Sequence, residues 1–422
     1  RILPSVAFIS AFLNNTPVVV IFAPIIKHWA KSVNLPATKF LIPLSYVTIL
    51  GGICTLIGTS TNLVVHGMIL EAGFEGFSMF ELGKVGIFIA IAGIIYIFLF
   101  SKRLLPDARP DTAVPDEEVE EGEKLHRVEA VLGARFPGIN KKLKDFNFQR
   151  HYGAEVKEIK TRNGQRFVSN LEEVVLHEGD TLVVMADDTF IPTWGESSVF
   201  VLLTNGNEPD TTGKKKKRWF ALLLLVLMIV GATVGELPIT KEMFPDIKLD
   251  MFFFVSITTI IMAWTNLFPA RKYTKYISWD ILITIACAFA ISKAMVNSGV
   301  ADSVAKFIIG LSDDYGPHVL LAMVFIITNL FTELITNNAA AALAFPLALS
   351  ISAQLGVSPT PFFVVICMAA SASFSTPIGY QTNLIVQGIG NYKFTDFVRI
   401  GLPLNIIAFL ISIFLIPLIW PF

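Results

Sequence analysis

Two short stretches put amide and hydroxyl side chains in the middle of apolar sequence: NNTPVVVIFAP at residues 14–24 and TNNAAAALAFP at 336–346. Each holds an asparagine, Asn15 or Asn337, nine residues before a proline, Pro24 or Pro346. A hydroxyl stands five residues before each asparagine, at Ser10 and Thr332. A second matched pair follows, LIGTSTNLVV at 56–65 and PIGYQTNLIV at 377–386. Gly58 lies 43 residues after Asn15, and Gly379 lies 42 after Asn337. This shared order is the signature of an internal repeat.

The chemistry of these residues is that of ion binding. Asn and Thr cap helix ends and offer donors to a ligand. Glycine permits an unwound segment, where freed carbonyls can bind a cation while helix N-termini present positive ends to an anion. No Arg or Lys falls within either motif. Neutral donors, helix ends and bound cations would therefore have to neutralise an anion, which makes cation coupling reasonable. Each feature has a plainer explanation when it stands alone. An Asn pair in a membrane helix is commonly interhelical glue, and a lone proline is a tolerated kink. The double occurrence favours a site.

The elements around these motifs must lie in lipid. The chain is 53% hydrophobic and only 16% charged over 422 residues, with a mean hydropathy of +0.63, against about 25% charged in soluble domains. Windows 85–101, 219–235, 251–268, 281–297, 319–331 and 400–420 approach the ~20 apolar residues that span a bilayer. A polytopic, all-α membrane protein is expected. Backbone groups cannot be left bare in lipid, so a hairpin that turns back at mid-membrane needs polar caps at its tip, and the two amide motifs suit that place. Counting crossings, three spans (219–235, 251–268 and 279–297) separate the two units, so the second motif is entered from the opposite face. Inverted repeats with two re-entrant hairpins and interrupted helices, facing each other at mid-bilayer, are the architecture of secondary transporters.

The composition divides the chain into residues 1–106, a first transport repeat; 107–124, an acidic linker; 125–213, a small inserted α+β domain; and 214–422, a second repeat. RVEAVLGA reads as a strand, residues around LKDFNFQRHY as a short helix before a strand that ends at the Asn163-Gly164 turn, and HEGDTLVVMA as a turn and buried strand. Basic residues flank alternate loops, among them Lys27, Lys102, Arg103 and the 214–218 run, which places the inserted domain in the cytoplasm. Three spans precede the second hairpin but only residues 1–13 precede the first, so further N-terminal spans are expected. No nucleophile–base set or Gly-rich phosphate loop is present, and His126, His151 and His177 are scattered; no enzyme, covalent cofactor or nucleic-acid partner is expected. Cys54, Cys287 and Cys367 read as buried apolar residues. Glu333 and Lys293 are the ionisable residues nearest the second motif, and each reads either as functional or as half of a structural pair.

The motifs resemble those of the divalent anion/sodium symporters, the permeases of solute carrier family 13. That family's hallmark is a Ser-Asn-Thr triplet at each of two hairpin tips. Here the triplets are Asn14-Asn15-Thr16 and Thr336-Asn337-Asn338, so only the central Asn is kept. Residues 278–302 are similar to the family's Trp-containing segment, and residues 125–190 resemble the TrkA-C-like regulatory domain carried by its sulfate-permease-like branch. The resemblance implies a homodimer in which a transport part slides against a scaffold as an elevator, carrying a dianion with sodium as coupling ion. It implies one sodium site at Ser10, Asn15 and Gly58, and another at Thr332, Asn337 and Gly379. The anion would contact Asn15, Thr16, Thr59, Ser60, Asn337, Asn338, Tyr380 and Gln381. The departures from the triplet, with Thr59-Ser60-Thr61 and Tyr380-Gln381-Thr382 after the glycines, give a site rich in neutral donors. That favours sulfate over the alternative, a di- or tricarboxylate.

Overall fold

In a computed structural model of the chain, the described residues are 2–107, 125–133, 135–161, 165–187, 190–194, 199–204, 215–235, 238–243, 249–265, 267, 279–310 and 316–422. Asn163-Gly164 and nearly all of the acidic linker lie outside them.

The first unit opens with α1 (Ile2–Ser10), which turns into α2 (Asn15–Ser32). Next comes α3 (Leu41–Gly52), buried along its whole length. The chain then leaves the helix for seven residues and resumes as α4 (Ser60–Glu71). A long apolar helix, α5 (Gly83–Leu104), completes the unit and carries Lys102 and Arg103 in its last turn, where cations suit the helix dipole.

The inserted segment forms a five-stranded sheet with order β3-β2-β4-β1-β5 and antiparallel pairing throughout. Its strands are β1 (His126–Leu132), β2 (Glu155–Lys160), β3 (Arg166–Phe167), β4 (Thr181–Ala186) and β5 (Phe200–Thr204). Two short helices, α6 (Phe148–Tyr152) and α7 (Phe190–Trp194), accompany them. Asn147 caps α6 through its side chain, and Gly153 ends it at φ 70°. The three expected strands are present; β3, which pairs with β2, and β5, which pairs with β1, are additions. An aromatic cluster of Phe136, Phe146, Phe148, Tyr152 and Phe200 fills the core of this domain.

Five helices follow: α8 (Lys215–Gly235), α9 (Pro238–Met243), α10 (Met251–Trp264), α11 (Trp279–Asn297) and α12 (Val300–Gly310). The window expected at 251–268 closes at Trp264, where Thr265 folds back to bond Ile261. The second unit repeats the first: α13 (Gly316–Leu334) turns into α14 (Asn337–Leu355), α15 (Thr360–Ser371) breaks before α16 (Gln381–Gly390), and α17 (Phe394–Ile419) closes the chain. Thr336 caps α14, its hydroxyl accepting from Ala339 N.

One apolar core runs through α1–α5 and α12–α17, whereas α10 has no buried residue among those described. Four helices, α5, α13, α14 and α17, are long and apolar enough to cross a membrane. The chain is an integral membrane protein. At 19 residues each, α13 and α14 reach about 28 Å, more than a hairpin turning at mid-bilayer requires of an upright arm. Cys54 is half-buried, Cys367 buried and Cys287 exposed; the last departs from the expected burial because the described part of α11 shows much of its surface outward.

Candidate functional site

Four helix N-termini converge on one place. They belong to α2, α4, α14 and α16, which begin at Asn15, Ser60, Asn337 and Gln381. Two of them follow breaks in otherwise continuous helices, and the residues before them, Thr59 and Tyr380, have the same extended backbone (φ −137°, ψ 143° and φ −138°, ψ 132°). The repeat seen in the sequence is thus a repeat of backbone conformation.

Side chains knit the four ends together. The Tyr380 hydroxyl accepts from Asn15 Nδ2 at 2.6 Å and lies 2.8 Å from Thr59 Oγ1, with Asn337 beside it. Thr16 Oγ1 donates to Gln381 Oε1 at 3.2 Å. Asn338 Oδ1 accepts from Ser60 Oγ at 3.2 Å and from Thr61 Oγ1 at 3.3 Å. Asn15, Thr59 and Tyr380 are buried; Thr16, Ser60, Asn337 and Asn338 are half-buried; Gln381 is exposed. The residues expected to meet the anion therefore gather at these four helix ends, in three hydrogen-bonded groups with Asn337 beside them, over a buried floor and with an open rim. Exposed helix N-termini carry unpaired N–H donors and partial positive charge, so this constellation is complementary to an anion.

Of the expected cation residues, Ser10, Asn15 and Gly58 gather in one cradle and Thr332 and Gly379 in a second, where Thr332 bonds a backbone carbonyl and not Asn337. In the first, Ser10 Oγ donates to Asn15 Oδ1 at 2.7 Å. A methyl group at Gly52 would stand 2.5 Å from Asn15 Oδ1, and one at Gly58 would stand 2.5 Å from Gly52 O and 2.9 Å from Ala11 O. In the second, a methyl group at Gly379 would collide with Ser373 Oγ and Thr332 O, while Thr332 Oγ1 donates to Ala370 O at 2.7 Å. Only glycine lets these oxygens close in, and neutral oxygens crowded in this way fit a small hard cation. Among the described residues, no cluster of three or more His, Cys, Asp or Glu offers a rival metal site.

The breaks are held by a pair of hydroxyl–glycine clasps. Thr55 Oγ1 accepts from Gly58 N at 3.1 Å, and Asn62 Nδ2 donates to Thr55 O at 2.9 Å. Likewise Thr376 Oγ1 accepts from Gly379 N at 3.3 Å, and Asn383 Nδ2 donates to Thr376 O at 3.1 Å. Each threonine hydroxyl also donates to a helix-end carbonyl of its own hairpin, Ala11 O or Glu333 O. Thr55 and Thr376, with Gly52 and Ser373, are the part of the site that sequence reading missed. The signal was available: Thr55 and Thr376 stand three residues before the two glycines.

The two copies of the site differ in charge at one position. Where the first repeat has Ala11, the second has Glu333, whose Oε1 accepts from Ser375 N at 2.8 Å and Asn405 Nδ2 at 2.7 Å. Glu333 braces the second break against α17. Lys293 is exposed on α11, and the carboxylate of Glu333 takes its hydrogen bonds from neutral donors instead. A wholly apolar cleft of about 640 Å³ between α5 and α17, lined by Phe88, Ile95 and Phe414 among others, lies apart from the site.

Comparison with known proteins points the same way. A family model described as citrate transporter matches residues 2–356 and, in an overlapping match, 248–421. The chain is 30% identical to an uncharacterized transporter of Synechocystis sp., across 97% of this chain and 81% of that protein. It is 32% identical to a probable sodium/sulfate cotransporter 3 of Chlamydomonas reinhardtii, across 69% of this chain and 32% of the relative. It is 25% identical to human solute carrier family 13 member 4, across 36% of this chain and 24% of that protein.

Proposed function

This chain belongs to the citrate transporter family, and we propose that within it the protein takes up a divalent oxyanion, sulfate, together with sodium. The observation that carries this reading is the meeting of four helix N-termini around Tyr380, with no Arg or Lys among the residues that link them. A tetrahedral dianion accepts many neutral hydrogen bonds, and these ends supply them. The remaining charge is offset by cations held in the two glycine cradles. Sodium enters as co-cargo, held by Ser10, Asn15 and Gly58 in one half-site and by Thr332, Asn337 and Gly379 in the other. The naming of a relative as a sodium/sulfate cotransporter supports the same cargo.

Alternating access by an elevator movement suits the packing of the repeats. The helices α1–α5 and α13–α17 share one core, to which α12 adds Ala305 and Ile308 and against which α11 packs through α14, while α8 and α10 pack on each other. The anion would travel with the shared core past a scaffold built from the remaining helices, in a homodimer, with the inserted TrkA-C-like domain on the cytoplasmic side.

Radiolabelled sulfate flux into reconstituted vesicles, under sodium and proton gradients imposed separately, tests this. Concentrative uptake driven by sodium is expected; uptake indifferent to both gradients overturns coupling. Asn15→Ala and Asn337→Ala should each abolish uptake while the protein still assembles. A second reading, a di- or tricarboxylate as cargo, is favoured by the description of the matching family. Stronger competition by citrate or succinate than by thiosulfate would select it.

A further inference from the structure

The inserted domain is joined by chain to α5 on one side and to α8 on the other, so connectivity alone leaves open which body it belongs to. Its non-covalent contacts decide. Lys27 Nζ, on α2, pairs with Glu129 Oε2 of β1 at 2.8 Å, and Lys160 Nζ of β2 reaches the other oxygen of the same carboxylate at 3.4 Å. On α16, Leu384 Cδ2 lies 3.1 Å from where a side chain on Gly179 would start, in the turn before β4. One turn further along α16, a methyl group at Gly388 would stand 2.6 Å from Thr181 Oγ1 of β4 and 3.3 Å from Gly179 O. Val131 of β1 belongs to the apolar core of the helices rather than to that of its own sheet.

These contacts fall on two of the four helices whose N-termini form the anion site. Asn15 and Thr16 begin α2, and Lys27 lies on the same helix; Gln381 begins α16, and Leu384 is three residues on. From these contacts we infer that the inserted domain is fastened to α2 and α16 and travels with them through the transport cycle, holding the two site helices in register. This rests on the alternating-access reading above. The physical reason is the kind of contact. Glycine-to-helix approaches at van der Waals distance and a largely buried three-charge cluster are lost as a unit when one side moves. Removing one partner of a buried pair leaves an uncompensated charge, which is strongly destabilising. A contact meant to open and close at every turnover would be wetter and more loosely packed.

A disulfide tests the inference. A Cβ at Gly179 would lie 3.9 Å from Leu384 Cβ, within the usual span for a disulfide. The double variant Gly179→Cys/Leu384→Cys should therefore cross-link on mild oxidation, read as a mass change after proteolysis. The single-cysteine variants control for Cys54, Cys287 and Cys367. The expected result is cross-linking in high yield and sulfate uptake by the oxidised protein within twofold of the reduced protein. Cross-linking that stops uptake until a reductant is added would show that the domain must let go, and overturns the inference. Failure of the pair to cross-link also overturns it. Gly388→Leu, a wedge at the same contact in a helical backbone, should lower the cross-linking yield at least fivefold. If the reduced protein moves no sulfate, the cargo reading fails separately. Attachment is then judged by whether the yield is the same with sodium alone and with sodium plus citrate; unequal yields overturn it.

Discussion

Tyr380 ties the two half-sites together at their buried floor, because its hydroxyl meets Asn15 and Thr59 of the first repeat. Tyr380→Phe keeps the ring and strips the shared partner from two polar groups. Leaving buried donors unmatched costs about 1–3 kcal/mol, so the dianion should bind roughly 5- to 150-fold more weakly, measured by equilibrium binding in detergent. Unchanged affinity would remove Tyr380 from the site. Glu333 makes a different prediction. Glu333→Ala leaves Ser375 N without its acceptor and Asn405 Nδ2 with only one of its two and should lower stability by about 1–3 kcal/mol, read as a fall in melting temperature. Glu333→Gln keeps an acceptor oxygen and should lose less. Equal losses would mean that charge, not bracing, is what the position supplies.

At the scale of elements, the breaks before α4 and α16 matter more than the helices they interrupt. Each break frees backbone groups in a setting where bare ones are costly, and each is secured by the same threonine–glycine–asparagine clasp. Gly58→Ala would push a methyl group into Gly52 O. The variant should lose the sodium-induced rise in thermal stability, and a normal rise would show that the cradle does not hold the cation. The breaks were legible in the sequence because Gly-x-x-Thr-Asn recurs at matched distance inside apolar surroundings. The role of Gly52 and Ser373 was not, since a small residue in a membrane helix has no local mark that separates packing from ligation. The strand β5 was missed for a related reason: VFVLLT is short, and only its pairing with β1 makes it a strand.

For the whole molecule, the position of the inserted domain predicts its response to acid. Burial pushes the Glu129 carboxyl up, but the ammonium groups of Lys27 and Lys160 outweigh it and hold it at about 2. A carboxyl lowered from near 4.5 contributes stability above its unfolded value and loses it as pH falls through the folded one. Docking of the domain should therefore be indifferent to pH from 8 down to about 5, and weaken only below that. Protease nicking of the inserted domain, followed as a function of pH, checks this; a transition near pH 6 would assign the contact to another group.

Composition by itself determined that the chain lives in lipid, because a sequence this poor in charge cannot cover a water-facing surface. The doubled motif by itself pointed to most of the residues that the structure gathers at the four helix ends, because polar side chains in apolar stretches stand out and their spacing survives between copies. Only the tertiary structure decided how the copies meet. Asn15 and Tyr380, or Ser60 and Asn338, lie hundreds of residues apart in the chain, and no local preference encodes a pairing at that distance. It arises from two similar units sharing one apolar core. The ownership of the inserted domain was decided in the same way, by glycines and a buried ion pair whose partners the linear order does not reveal.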